Sequence, residues 1–513
     1  MNNEQLLRIT TAEGALRGRM EDDVFVFRGI PYAAPPTGKL RWQPPKPVQP
    51  WQGEREAIQW SAASWQNRDY CVAVGGGDPG DISEDCLYLN VWTPEIQPSK
   101  PLPVMVWIHG GGFSIGAGGL TPYTGAPLAS RGAVIVTLNY RLGHLGFFAH
   151  PALDNEYPAG EVVNNFALLD QIAALQWVQR NIDLFGGDRH NVTIFGESSG
   201  ARSVLSLFAS PLAVGLFHKG IAQSPYALPD VPRKTALKTG EKLSAHFNLV
   251  NATAEQLRAL PAEAFWPLDP AFANGPVAIA GDRVLPQPVL DVFNASRQQK
   301  LPLMIGSNSD EASVLSYFGV NPGEIIKELH HARRPGLRLN IIRLLYGGIR
   351  DDDRLGRRVA GDITFTAMGY IIALSQHRAG MPVWRYYFDY VSENSRDICP
   401  DGTWHGNEIP YVFNTLDALA PTTGKRPFTR SDRLFALKVS EYWLNFAREA
   451  GRLSVLLPGE PCEPHWPAWH PRADSVMRFG EKGEAVLKLE PRFMRRRMQL
   501  FRLLVKQMVR LKR

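Results

Sequence analysis

The sequence predicts an α/β fold, a mostly parallel sheet covered by helices on both faces, and three observations carry that expectation. Brief apolar runs rich in β-branched residues recur along the chain, each the length of a buried strand. Helical periodicity fills the gaps between several of them. One run leads through Gly196-Glu197-Ser198-Ser199-Gly200 directly into helix-compatible sequence. With 513 residues, 44% hydrophobic and 21% charged, the chain has ample apolar side chain to offset ordering entropy, which excludes disorder for most of it. It has no run of 18 or more apolar residues, so no spanning helix is expected.

In chain order, the front segment to about Pro103 is rich in Pro, Gly and Trp and carries short β-type runs such as Val24–Phe27. It reads as a small N-terminal β region of strands and turns. Val104–Ile108, Val134–Leu138, Val192–Phe195, Gly220–Ala222 and Leu303–Ile305 suit buried parallel strands, and Trp384–Tyr390 is a more aromatic one. Leu168, Ile172, Leu175, Val178 and Ile182 share one helix face, and Gly186-Gly187 ends that helix. From about 230 to 380 the pattern turns to helices and loops with one strand, as expected of a helical cap inserted over the sheet. No repeat or low-complexity linker separates domains. Residues 1–490 therefore read as a single catalytic domain and 491–513 as a basic amphipathic C-terminal helix.

Chemistry concentrates at two glycine-rich places. In the first, a turn between strand and helix projects Ser198 as a nucleophile, because its two glycines let the backbone pass close to neighbouring elements. The helix N-terminus behind it favours developing negative charge. In the second, Trp107-Ile-His-Gly-Gly-Gly-Phe113 follows a strand, and its unencumbered N–H groups can converge on one oxygen. Gly111, Gly112 and the N–H of Ser199 are the expected oxyanion donors. A phosphate loop would need a Lys-Ser/Thr after the glycines, and none follows. No His or Cys spacing typical of zinc occurs, and no cofactor is implied.

These segments, with Phe27–Pro36, Ser83–Trp92, Asn139–Gly143 and Phe185–Asp188, resemble the type-B carboxylesterases. That family has the α/β-hydrolase fold and includes bacterial para-nitrobenzyl esterases and the cholinesterases. The resemblance covers nearly the whole chain. It implies Glu311, at the end of Ile305-Gly-Ser-Asn-Ser-Asp-Glu311, as catalytic acid, with Asp310 the adjacent rival. It implies His405, within Gly402-Thr-Trp-His-Gly-Asn-Glu408, as catalytic base, and the order Ser198, Glu311, His405 suits α/β-hydrolases. Glu197 and Ser224 are expected to support the site from behind, and Glu84 with Arg41 resembles the family's structural ion pair. The loop between Cys71 and Cys86 resembles the family's disulfide-closed loop, so a disulfide there is one option and reduced thiols the other. Cys399 and Cys462 are a second candidate pair. The cholinesterases carry a Trp in the corresponding loop that binds the quaternary ammonium, and the Cys71–Cys86 loop has none, so the resemblance implies that choline esters are not its substrates.

The implied activity is serine-dependent hydrolysis of small to medium, apolar or aromatic carboxylic esters through an acyl-enzyme, with water as second substrate. Two alternatives stand beside it: a specialised esterase for polyester, toxin or lipid esters, and a non-catalytic cholinesterase-like binding protein. Arg202, four residues after the nucleophile, reads either as an ion-paired residue or as an anchor for a substrate carboxylate.

Net charge needs dissecting. The formal +6 contains nine positive charges in the last 23 residues, leaving the remainder at −3, so nucleic acid is not an expected partner. Met494, Met498, Phe501, Val505 and Met508 fall on one helix face of that tail, and Leu504 and Leu511 widen the stripe. The helix either packs on the body or associates with a membrane surface. The first residues show no basic stretch followed by an apolar one, so a cytoplasmic location is expected. The sequence sets no oligomeric state.

Overall fold

The computed structural model describes residues 7–266, 272, 277–331, 335–418, 427–451, 453–455, 457–458 and 463–511. Cys462 lies outside these, so its pairing with Cys399 falls outside the described residues. The chain divides into two compact units, Met1–Ile221 with Pro229–Leu301, and Ala222–Leu228 with Pro302–Arg513.

In the first unit, β1 (Leu7–Thr10), β2 (Ala15–Glu21) and β3 (Val24–Pro31) form the small N-terminal β region. They lead to β4 (Tyr88–Thr93), β5 (Leu102–Ile108), β6 (Val134–Leu138) and β7 (Gly187–Glu197). The spatial order is β1-β2-β3-β4-β6-β5-β7. Pairing is antiparallel up to β6, and β6-β5-β7 is parallel, with Val104 opposite Val134 and Ile108 opposite Gly196. Val104–Ile108 of β5, Val192–Phe195 of β7 and all of β6 are buried, which explains why they are continuous apolar runs rather than alternating ones. After β7 come α2 (Ser199–Ala209) and α3 (Arg233–His246). Between β6 and β7, α1 (Phe166–Asn181) buries Leu168, Ile172, Leu175 and Val178, the face its periodicity predicts. A short 3-10 turn holds Ile182, and Gly186, at φ +78, ends it.

The strand Lys219–Gln223 has its first three residues in this unit and its last two in the second. In the second unit β8 (Leu303–Asn308), β9 (Val383–Tyr390) and β10 (Val476–Glu490) form a parallel ladder. The sequence does not announce β10, because Gly480, Lys482 and Gly483 all take positive φ and charges interrupt its alternation. A Cβ at Gly480 would lie 2.3 Å from the Tyr390 nitrogen, which accounts for that glycine.

Helices of the second unit include α4 (Pro322–His331), α5 (Pro335–Leu345), α6 (Asp352–Gly361), α7 (Ala367–Arg378), α8 (Arg430–Arg448) and α9 (Arg495–Leu511). Between α6 and α7, Asp362–Thr366 is π-helical, so 352–378 is one helical rod with a widened turn in its middle. The segment from about 230 to 380 holds α3 to α7, strand β8 and the short parallel pair Val231–Pro232 and Ile279–Ala280. The basic tail packs on α7, burying Met498, Phe501 and Val505, while Leu503 faces solvent. No described helix is long and apolar enough to cross a membrane.

Candidate active site

The candidate residues fall in two groups, one in each unit. In the first, β7 runs through Glu197 into Ser198, whose φ of +56° and ψ of −118° lie outside ordinary L-residue conformations. Such strain persists only where its surroundings hold it, and the two elbow glycines show how. A Cβ on Gly196 would sit 2.5 Å from the Ile108 carbonyl oxygen, and one on Gly200 only 2.0 Å from it. Strand β5 and the start of α2 therefore touch main chain to main chain. Ser198 is left at the helix N-terminus, where backbone dipoles favour an anion.

The glycine loop after β5 lies against this elbow. A Cβ on Gly110 would come within 3.3 Å of Ser198 Cβ and 2.8 Å of Glu197 Oε2. Gly111 and Gly112 take φ of +101° and +62°, which turns their N–H groups away from the strand direction. Ile115 and Ser114 donate to the Gly111 carbonyl at 3.1 and 3.0 Å and close the loop. Behind it His109 stacks on Tyr140 at 4.4 Å, and the Tyr140 hydroxyl donates to the His109 carbonyl at 2.7 Å. Burial lowers the His109 pKa to about 4, so its ring is neutral and acts as a fixed prop.

Arg202 is buried on α2 and forms an ion pair with Asp230, whose second oxygen accepts from the Val289 N–H at 2.7 Å. That pairing is the ion-paired reading, and it occupies the guanidinium. Glu84 and Arg41 form the expected pair, and Arg41 also donates to the Arg258 and Leu260 carbonyls. Cys71 and Cys86 are both free and buried rather than joined in a disulfide.

In the second unit, Glu311 Oε2 and His405 Nδ1 are 2.5 Å apart, and Glu311 Oε1 accepts from the Asn308 N–H at 2.6 Å. The His405 N–H donates to Ser313 Oγ at 2.9 Å, which fixes the loop carrying the ring. Asp310, the rival acid, instead takes both arms of Arg357 at 2.7 and 2.6 Å. Arg358 donates to the Ser309 carbonyl at 2.7 Å, and Arg354 pairs with Asp401 at 3.0 Å. Three arginines of α6 thus grip the acid segment and the start of the histidine loop. Asn308 also donates from its side chain to the Trp404 carbonyl and to Glu408, a buried carboxylate that further accepts from Gln223.

Ser224 is fully buried at φ +53°, and its N–H donates to the Gly306 carbonyl at 2.8 Å. Sequence reasoning named Glu311, His405 and Ser224 but missed Asn308, Ser313, Glu408 and the α6 arginines. Asn308, two residues before Asp310, was the most accessible of these, because a polar residue ending a buried strand needs partners.

The chain is similar to known esterases over most of its length. The model of the carboxylesterase family matches residues 5–495. A fumonisin B1 esterase of Sphingopyxis macrogoltabida is 35% identical over 488 residues, covering 92% of this chain and 86% of that protein. The para-nitrobenzyl esterase of Bacillus subtilis (strain 168) is 32% identical, covering 90% and 92%. A solved PNB esterase structure superposes with a TM-score of 0.77 at 28% identity, covering 96% of this chain and 99% of that one.

Proposed function

This chain belongs to the carboxylesterase family and is a carboxylic ester hydrolase of α/β-hydrolase fold, and from that premise we propose that Ser198, His405 and Glu311 form its catalytic triad. His405 takes the Ser198 proton as the hydroxyl attacks the ester carbonyl, and Glu311 fixes the imidazole tautomer and stabilises its cation. The N–H groups of Gly111, Gly112 and Ser199 stabilise the tetrahedral oxyanion, each worth about 3 kcal/mol of barrier. His405 then protonates the departing alkoxide and activates water, which releases the acid from the acyl-enzyme. Glu197 and Ser224 support this machinery without entering the bond changes. This reading makes residues 1–490 one catalytic domain.

The observation that carries the reading is the strained backbone of Ser198 at the head of α2, since nothing in ordinary packing asks for a serine there. Small to medium apolar or aromatic esters are the expected substrates, in keeping with the para-nitrobenzyl esterase similarity. A narrower reading, a fumonisin-type ester, is supported by the 35% identity to the fumonisin B1 esterase. Hydrolysis of p-nitrophenyl esters and fluorophosphonate labelling should both vanish in Ser198→Ala. A variant that hydrolyses them at the wild-type rate would overturn the triad. A panel pairing simple aryl esters with fumonisin B1 separates the two substrate readings.

A further inference from the structure

The widened helical turn Asp362–Thr366 has a cost, because π geometry is rare and stands only where something holds it. Here it carries Phe365, whose buried ring lies 4.8 Å from the His405 imidazole at 50° between planes. The same ring meets Tyr226 edge-on at 6.1 Å. The turn is tied on its strand side by Ser307 Oγ, which donates to Thr366 Oγ1 at 3.1 Å, and by the Ala227 N–H, which donates to the Thr364 carbonyl at 2.6 Å.

On its other side it is tied to the C-terminal helix. Asp362 opens the turn, and its Oδ2 accepts from the Tyr346 hydroxyl at 2.6 Å and from Arg497 at 3.0 Å. Arg497 also lies over the Tyr346 ring, 4.5 Å from its centroid. Arg497 is therefore set into the body, and the helix presents it by burying Met498, Phe501 and Val505 alongside.

We propose that α9 is a positioning element for the catalytic base, acting through Arg497 and Asp362 on the π-turn that seats Phe365 against His405. This rests on His405 being the base. Released from Arg497, the turn can relax toward ordinary α geometry, where each residue of slip rotates the following side chains by about 100°. Phe365 would then leave the imidazole, and the ring would lose a wall that fixes its plane. The Glu311 hydrogen bond restrains the Nδ1 edge of that ring.

The test is steady-state kinetics of the full chain over pH 5–9 for Arg497→Gln, Asp362→Asn and their double variant. The expected result is a fall in kcat of about ten-fold with KM nearly unchanged, together with a displaced acid limb of the kcat profile. The double variant should be no slower than the worse single one, and Arg497→Lys should recover much of the loss, which general destabilisation would not reproduce. Arg496→Gln, on the adjacent exposed position, serves as control and should match wild type. If Arg497→Gln does not fold, Tyr346→Phe removes one hydrogen bond to Asp362 and should move kcat and the pH profile in the same direction by a smaller factor. A folded Arg497→Gln or Tyr346→Phe enzyme with wild-type kcat and pH profile overturns the proposal. Activity surviving in His405→Gln would instead overturn the assignment of the base, so the two failures read differently.

Discussion

Glu311 and Asp310 are chain neighbours with opposite commitments: Glu311 holds the His405 imidazole at 2.5 Å, and Asp310 holds the Arg357 guanidinium through two hydrogen bonds. Burial raises the Asp310 pKa and Arg357 opposes that rise. Two adjacent carboxylates thereby avoid facing the same ring.

Exchanging each acid for its amide should separate these roles. Glu311→Gln is expected to lower kcat by about 10³–10⁴-fold with little change in folding, because the tautomer is no longer held. Asp310→Asn should keep most activity but lower the melting temperature, since Arg357 loses its charge partner while half-buried. Kinetics and thermal melts of both variants check this, and equal kinetic losses would contradict it.

Ser199→Ala should be nearly silent in catalysis. The proposed oxyanion donor is its main-chain N–H, and its buried hydroxyl has no partner among the described residues. Removing an unsatisfied buried hydroxyl is expected to leave stability equal or raise it by about 1 kcal/mol. Urea unfolding and kcat on one aryl ester measure both, and a loss beyond about ten-fold in kcat would assign the hydroxyl a role.

Arg202→Met should destabilise the fold by about 3–5 kcal/mol, because Asp230 would be left as an unpaired buried carboxylate. Changing the partner as well, in Arg202→Met with Asp230→Leu, should restore part of that loss. Discrimination between esters with and without a free carboxylate should not change in a folded single variant. A selective rise in KM for the anionic ester would revive a substrate-anchoring role.

Acid should weaken the fold through His109. Its folded pKa, near 4, lies below the ordinary histidine value of about 6.5, so the unfolded chain takes up a proton that the folded chain refuses. The stabilisation is fully present above pH 6.5 and is lost as pH falls toward 4, by at most about 3 kcal/mol over that window. Unfolding free energy measured from pH 7 to 4.5 should show a shallower slope in His109→Asn than in wild type. His144, also lowered to about 4 by burial, adds to the wild-type slope and remains in the variant.

Much of this was legible because local rules and tertiary needs coincide. β6 matches its predicted bounds, since a strand buried on both faces must be apolar throughout. The elbow was legible because both its glycines are demanded by close backbone approach, at Ile108 in each case. β10 was not, because its bend is imposed by a neighbouring strand and leaves only scattered glycines in the sequence. Likewise nothing local distinguishes Arg357 from the adjacent Arg358, or marks 362–366 as π-helical. Those depend on partners tens to more than a hundred residues away, such as Asp310 and Arg497.

The three arginines along α6 also bear on how a substrate can enter. A lid made from this helix would have to break the Asp310, Ser309 and Asp401 contacts together and would carry the acid segment with it. α6 is therefore built as a buttress rather than a gate. Turnover should then be insensitive to solvent viscosity as far as α6 is concerned, with the acid kept in firing position between catalytic cycles.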